Sequence, residues 1–429
     1  MVLKQNVNTK IVYEAVYNLL EEANTNLPVC VYEKLSEFNH AGRDNILKNA
    51  YLAQRSKRPL CQDTGQVVIF LEIGQDVIFS GTYIEDEINR AVSNCYKDKF
   101  YRKSTVEDAI FNRENRGDNT PAIIHTKIIK GDEINILLGI KGGGSENMTT
   151  LKMFNPTIEF EEILDFARQC AVNAGENACP PMCIGIGAGG CAETAAILAK
   201  KALFDGVTLD VKMPNTFETK ILTAPTHIAS LPVCINLSCH SLRHSKCKIQ
   251  NGKILYQKEV KIYGDIETKT SAKEINTSDI ETLNTLQNGD EILLSGVIFT
   301  ARDAAHKRLS EIIEANEILP FDLNNKILFY AGPCPAKEGE VIGPIGPTTS
   351  KRMDKFAPLL YDRGVIATIG KGDRTIKGLN KLYFKAQGGI ACVLQKCVKK
   401  CEPVCFEDLG AEAIYRLEIE KMPLKTVWI

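Results

Sequence analysis

The chain reads as an α+β protein in two parts, on three observations. Apolar residues recur at helical spacing from Thr9 to about Ala53, with a break at Asn26 to Pro28. β-rich apolar runs such as QVVIFLEIG and LPVCINLSC alternate further on with helical stretches. From Glu267 to Asn288 the composition turns polar and short of aromatics, which reads as a linker and the start of a second domain.

Taken in order, RPLCQDTG ends the helical entry and sets Cys61 on a loop leading into the strand QVVIFLEIG. The strand DVIFSGTYI and the helix EDEINRAVSNCYKDKFYRKS come next. After the polar RENRGDNTP, the runs AIIHTKII and EINILLGI flank a Gly131-Asp132 turn and read as a hairpin. Lys141 to Ser145, KGGGS, follows; its glycines let backbone N–H groups approach an anion, and a flexible tight turn explains them equally well.

A helix through PTIEFEEILDFARQCAVNAGENA reaches CPPMCIGIGAGGCAET. GIGAGG is similar to a dinucleotide fingerprint, but no long strand precedes it and no acidic residue stands in the expected place. We therefore expect a glycine loop around Cys179 and a helix from Ala192 to Lys201. His227 lies before the strand LPVCINLSC, where a structural histidine is the plainer reading. Cys234, Cys239 and Cys247 match no common zinc spacing.

In the second part a strand ends at Thr300, and Arg302 and Asp303 open a helix. KILFYAGPCPA and GVIATIGKGD supply two more strands, the latter ending at Lys371. Between these strands Gly346 to Arg352, GPTTSKR, sets two hydroxyls and two cations beside a Gly-Pro turn. If a helix starts after Pro347, Thr348 and Arg352 share a face near its free N–H groups and form an anion site. Taken alone, a threonine N-cap with solvated basic residues is the simpler account.

Composition narrows the function. Fifty-two basic against 53 acidic residues give a net charge of −1, which supplies no field for nucleic acid or an acidic membrane, so the expected partner is small. The N-terminal stretch reads as an amphipathic helix rather than a signal or membrane segment, which predicts a cytoplasmic protein. Fifteen cysteines, an odd number, argue against a fully paired disulfide framework and for metal ligation by some of them.

RPLCQDTG, YRKS, RGDNTPA, KGGGSENMTTLKM, CPPxxIGIGxGG, LPVxINLSC, SGVIFTARDAAHKR, YAGPCPA, GPTTSKRMD and IGKGD, in this order, resemble the class I, iron–sulfur fumarate hydratases and their tartrate dehydratase relatives. The resemblance covers nearly the whole chain. It implies that two parts carried by separate subunits in many members are fused here: an N-terminal iron–sulfur domain over residues 1–275 and a smaller, swivelling barrel-like β/α domain over 276–429. The active site would lie between them. A [4Fe-4S] cluster would be held by Cys61, Cys179 and Cys239, leaving one iron open, in a homodimer acting on a small dicarboxylate.

By the same resemblance Arg102, Arg302, Arg352 and Lys371 hold substrate carboxylates, with Gln62, Gly143 or Gly144, and His227. Thr348 is the base, and Asp63 beside Cys61 is our candidate for its activator. Outside the resemblance, Asp63 reads as a turn residue and the arginines as solvated helix residues. Cys183 and Cys191 depart from the family pattern and are expected to set extra thiols near the cluster; the tail, which stops soon after Trp428, departs too, so the second part is expected to lack a final strand or to be trimmed. The implied reaction is hydration of fumarate to malate, with tartrate dehydration and mesaconate hydration as rivals, and a non-catalytic iron–sulfur redox protein as the reading from another class.

Overall fold

The helical spacing near the N-terminus resolves into three helices, Lys10–Thr25, Val29–Glu37 and Arg43–Ser56, each ending at an irregular residue. The computed structural model describes residues 5–111, 113–257, 261–267 and 272–429. It divides into two units, one made of the chain up to Arg43 with Ala50–Asp265, the other of Asp44–Asn49 with Ile266–Ile429. Among the described residues no helix is long and apolar enough to cross a membrane.

In the first unit two five-stranded sheets enclose a helix. One sheet runs in the order Lys253–Tyr256, Arg243–Gln250, Ile134–Lys141, Gln66–Gly74, Ile123–Ile129. Helix Lys10–Thr25 buries Val12, Val16, Leu19 and Leu20 in a core shared with Val67, Ile69 and Leu71 of this sheet, burial worth about 1.5–3 kcal/mol per large side chain. The expected hairpin across Gly131-Asp132 does not form. Gln66–Gly74 lies between its two arms, parallel to Ile123–Ile129 and antiparallel to Ile134–Lys141. The turn instead packs on Gly74, where an added Cβ would stand 2.3 Å from the Gly131 carbonyl oxygen.

The second sheet has the order Thr150–Phe154, Leu231–Ser238, Met182–Gly189, Thr216–Ala224, Val207–Leu209. MCIGIGAG is thus a buried strand, not the loop its glycines suggest. The cause is packing: a Cβ at Gly185 would stand 2.2 Å from the Ala199 carbonyl oxygen, and one at Gly187 2.1 Å from that of Ala195. Small residues on the strand let helix Ala192–Asp205 lie directly on it. The other side of this helix meets the first sheet, where Phe204 leaves no room for a side chain at Gly139 and Lys201 pairs with Glu72 at 3.2 Å.

In the second unit Glu291–Thr300, Ile327–Phe329, Ala367–Gly370 and Leu382–Lys385 run parallel, and the long strand Ile414–Trp428 pairs antiparallel with the first and last of them. These five strands close a small barrel. The C-terminal segment, expected to fall short of a final strand, is therefore the one that shuts it. Part of the expected linker also belongs to the fold: Lys273–Asn276 adds to the edge of Glu291–Thr300, and Ile280–Thr285 is a helix capped by Asp279.

The glycine-to-helix contact gives a test. Gly187→Ala should destabilise the chain by about 2–3 kcal/mol in urea unfolding, while Gly264→Ala, which meets nothing within 4 Å, should stay within about 0.5 kcal/mol of the parent.

Candidate active site

Three chain segments of the first unit meet where cysteines were expected to act. Cys61 follows helix Arg43–Ser56 on the irregular stretch before Gln66–Gly74, Cys179 ends a short 3₁₀ turn before Met182–Gly189, and Cys239 follows Leu231–Ser238. Because Ser238 pairs with Cys183, Cys179 and Cys239 leave the same end of the second sheet, and the His240 N–H donates to the Cys179 carbonyl at 3.4 Å. Cys179 holds φ +54°, left-handed for a residue with a Cβ and costing about 1–2 kcal/mol. Cys61 is 8% exposed, and its thiol donates to Gln62 Oε1 at 3.4 Å. Burial pushes the Cys61 thiol up to about 12; Arg243 pulls it back, while Cys239, Asp63 and Cys179 push it further.

Asp63 joins these segments to the glycine-rich turn. Its Oδ1 accepts from the Gly65 N–H at 3.1 Å and its Oδ2 from the Gly143 N–H at 2.9 Å. Arg102 Nη2 lies 3.5 Å from Oδ1, and Arg243 Nη1 donates to the Asp63 main-chain carbonyl at 2.7 Å. Burial acts to raise the Asp63 pKa, but the two guanidinium groups and the two N–H donors outweigh it and hold the carboxyl below its usual range. The run of glycines has a steric reason as well, since a Cβ at Gly142 would stand 3.2 Å from Asp63 Oδ2. Gly144 lies in the same turn, Gly143–Glu146, without a contact of its own to Asp63.

Two buried cations at this place escaped sequence reasoning. Arg243 is 1% exposed, and Lys141 is 3% exposed. Lys141 Nζ donates to the Leu237 carbonyl and to Ser145 Oγ, and lies 3.7 Å from Glu146, whose carboxylate also takes Lys200 at 2.6 Å. Burial pulls the Lys141 ammonium down to about 8, against Glu146 and Cys239, which raise it. A signal existed in the strand RHSKCKIQ, which alternates buried and half-buried positions and sets Arg243 on the inward parity with Cys247 and Ile249.

Among the described residues no three His, Cys, Asp or Glu side chains meet closely enough for a single metal ion. Cys61, Cys179 and Cys239 lie near enough to act on one another electrostatically. Three thiols that do not share one point, with buried cations around them, fit a multinuclear group in which each metal takes its own thiolate.

The other expected residues sit in the second unit at the carboxyl ends of the barrel strands, where α/β folds concentrate their chemistry. Arg302 caps helix Asp303–Glu314 and pairs with Glu412 at 3.3 Å. Thr348 and Lys371 are held by backbone bonds: Thr348 N to Tyr330 O at 2.7 Å, and Lys371 N to Thr348 O at 3.1 Å. Arg352 Nη2 donates to Thr348 Oγ1 at 2.6 Å and to Asp303 Oδ2 at 2.7 Å. No α-helix starts after Pro347; a 3₁₀ turn, Ser350–Met353, does, and Thr349 precedes it without a side-chain cap. Thr348 and Arg352 still meet, through the length of the arginine rather than a shared helical face. Ser350 is fully buried against Gly370 and bonds Tyr383, which fixes the turn on the neighbouring strand end.

His227 is not brought to the cysteines of its own chain. It is exposed on the turn between Thr216–Ala224 and Leu231–Ser238, at the opposite end of the sheet from Cys179 and Cys239. An eight-residue strand separates them, about 25 Å at 3.3 Å per residue. Cys191 departs from expectation for the same reason: strand Met182–Gly189 carries it to that far end, where it is exposed. Cys183 is buried within the strand, facing Lys220 and Glu218, and Cys234 packs on Ala195 and Ala199.

Comparison with known proteins places the chain in a family. The family model for fumarate hydratase (Fumerase) matches residues 5–223, and that for the fumarase C-terminus matches residues 250–428. Fumarate hydratase 1, mitochondrial, of Leishmania major is 29% identical over 443 residues, covering 88% of this chain and 79% of that protein. The anaerobic class I fumarate hydratase of Escherichia coli is 28% identical over 438 residues, with the same coverage of both chains. A putative L(+)-tartrate dehydratase subunit alpha of Methanocaldococcus jannaschii is 36% identical over 194 residues, covering 44% of this chain and 68% of that subunit.

The thiols should differ in reactivity. Hydrogen bonds from Thr194 lower the pKa of exposed Cys191, whereas Cys61 and Cys183 are buried and raised. Timed iodoacetamide labelling of metal-free protein at neutral pH, read by peptide mass spectrometry, should mark Cys191 well before either. Equal rates would contradict the placement.

Proposed function

We propose a function from one premise: the chain belongs to the fumarate hydratase family. It is a hydro-lyase that interconverts fumarate and L-malate. The iron–sulfur part of the reading assigns a [4Fe-4S] cluster to Cys61, Cys179 and Cys239, supported by the meeting of their three segments and by the buried cations beside them. When bound, such a cluster supplies a Lewis acid for the substrate hydroxyl.

The observation that carries the protein's own share of the chemistry is the contact of Thr348 Oγ1 with Arg352. Loss of water from malate requires removing a weakly acidic C–H proton next to a carboxylate. A threonine hydroxyl is a poor base because its alkoxide is costly, and a guanidinium donor at 2.6 Å lowers that cost. Asp303, bonded to the same Arg352 nitrogen, orients the guanidinium. For Thr348 to take the carbon proton its own hydroxyl proton must first leave to solvent. In the direction of hydration the Thr348 hydroxyl gives its proton to carbon and is left as the alkoxide.

Arg302 and Lys371 stand at the same strand ends as Thr348 and hold the carboxylate whose charge grows as the proton leaves, each worth about 3–4 kcal/mol by analogy with oxyanion donors. Arg102, with Gln62 and the Gly144 N–H, is the anion-binding set of the first unit, the Gly143 N–H being taken by Asp63. Asp63, ionised throughout the neutral range, contributes by orienting Arg102 and that turn; a carboxyl held this low takes a proton reluctantly. We assign His227 to the site of a second copy in a homodimer, because its own cysteines lie at the other end of its sheet.

A second reading, tartrate dehydration, is favoured by the match to the tartrate dehydratase alpha subunit. Anaerobically reconstituted protein assayed with fumarate, L-malate, mesaconate and L(+)-tartrate separates the readings, with fumarate and malate expected to turn over fastest. Thr348→Ala should lower kcat by about 10²–10⁴-fold, and parental activity in that variant would sink the proton chemistry. Co-expressed His227→Ala and Thr348→Ala chains should regain activity that neither homodimer has, since one site of the mixed dimer is intact. No recovery would place His227 outside the partner's site.

A further inference from the structure

Lys141 and Arg243 have no part in binding or proton transfer as described above, yet both are buried cations beside two of the three cysteines. They sit on adjacent strands, with Arg243 opposite Ile140 in register, so the two side chains come from neighbouring positions of one sheet. Each bonds a main-chain carbonyl two residues from a cysteine: Lys141 that of Leu237, before Cys239, and Arg243 that of Asp63, after Cys61. Arg243 shares a sheet face with Ile140 while Lys141, one residue on, points to the other, so the pair holds two of the three thiol-bearing segments from the two faces of the sheet.

Carboxylates balance their charge only in part. Lys141 shares the single carboxylate of Glu146 with Lys200. Arg243 makes no ion pair among the described residues, and its buried Nε lacks a hydrogen-bond partner. A buried, unpaired guanidinium costs several kcal/mol of desolvation unless an anion lies close by. Asp63 lies beside Arg243 and Glu146 beside Lys141, and the further groups here that can become anions are the cysteine thiols.

We propose that Lys141 and Arg243 are positioning residues that set buried positive charge beside the thiolate-bound cluster, fixing its reduction potential and its retention. The inference rests on the iron–sulfur reading above. Three thiolates carry one more negative charge than an oxidised cluster core offsets, and the two buried cations act against that excess and the carboxylates of Asp63 and Glu146 beside it. Adding an electron makes the cluster more negative still, so a cation held at this place raises the potential, and removing it must lower the potential.

The test uses full-length protein reconstituted anaerobically with iron and sulfide. Lys141→Gln and Arg243→Gln keep a hydrogen-bond donor while deleting the charge; Lys141→Arg and Arg243→Lys keep the charge. Iron and sulfide per chain, the midpoint potential from an EPR-monitored redox titration, and the rate of labile-iron loss in air are measured, with circular dichroism as the check on folding. The glutamine variants should fold, show a more negative potential and lose iron several-fold faster, and the charge-keeping variants should return both toward the parent. A parental potential and iron loss in folded glutamine variants would overturn the inference while leaving the cluster in place. A glutamine variant that fails to fold while its charge-keeping counterpart folds and matches the parent supports it; failure of both at either position would make that residue structural and overturn it there. A parent chain that takes up no cluster would overturn the iron–sulfur reading itself and this inference with it.

Discussion

Asp63 accepts hydrogen bonds from Gly65 and Gly143, faces the Arg102 guanidinium and offers its carbonyl to Arg243. Through these four contacts it ties the Cys61 segment to the glycine-rich turn after Ile134–Lys141, the loop bearing Arg102 and the strand Arg243–Gln250. The Lys141 bond to the Leu237 carbonyl then connects that turn to the Cys239 segment. Three thiols far apart in sequence are held by a polar web rather than by a local motif. A web of this kind is stable only when its buried charges are matched, since the low dielectric that strengthens each bond also penalises each unpaired group.

The second unit solves a different problem. Its barrel strands deliver Arg302, Thr348 and Lys371 to their carboxyl ends, and backbone bonds lock Thr348 to both neighbouring strands through Tyr330 and Lys371. Behind them the buried pair of Arg374 and Asp354, with the bonds of Asp354 to Thr375, braces the turn that carries Arg352. Rigidity at this position matters because a hydroxyl must meet a C–H bond with little freedom to search.

Much of the architecture was legible in the sequence, and the failures have physical causes. QVVIFLEIG and LPVCINLSC are recognisable as strands because continuous apolar β-rich runs suit only buried sheet positions. The partner of a strand is harder to read: AIIHTKII and EINILLGI have the length and turn of a hairpin, yet the first sheet inserts Gln66–Gly74 between them. GIGAGG misled because a glycine leaves no trace of whether it serves a turn or the close approach of a helix. At the site, Thr348 and Arg352 were picked out although the helix their spacing implied does not form, whereas Lys141 stayed hidden and Arg243 showed only in the parity of its strand, since a cation within a strand is ordinarily taken for a solvated residue. His227 is visible as a residue, but its distance along the sheet is not.

The central claim is that Cys61, Cys179 and Cys239, and no other cysteines, take the metal. Anomalous diffraction at the iron edge from crystals of anaerobically reconstituted protein tests it most directly. One compact iron peak bounded by these three sulfurs, with a corner free of protein ligand, is the predicted result. Iron bound at Cys183, Cys191, Cys397, Cys401 or Cys405, or a fourth cysteine closing the cluster, would contradict the account.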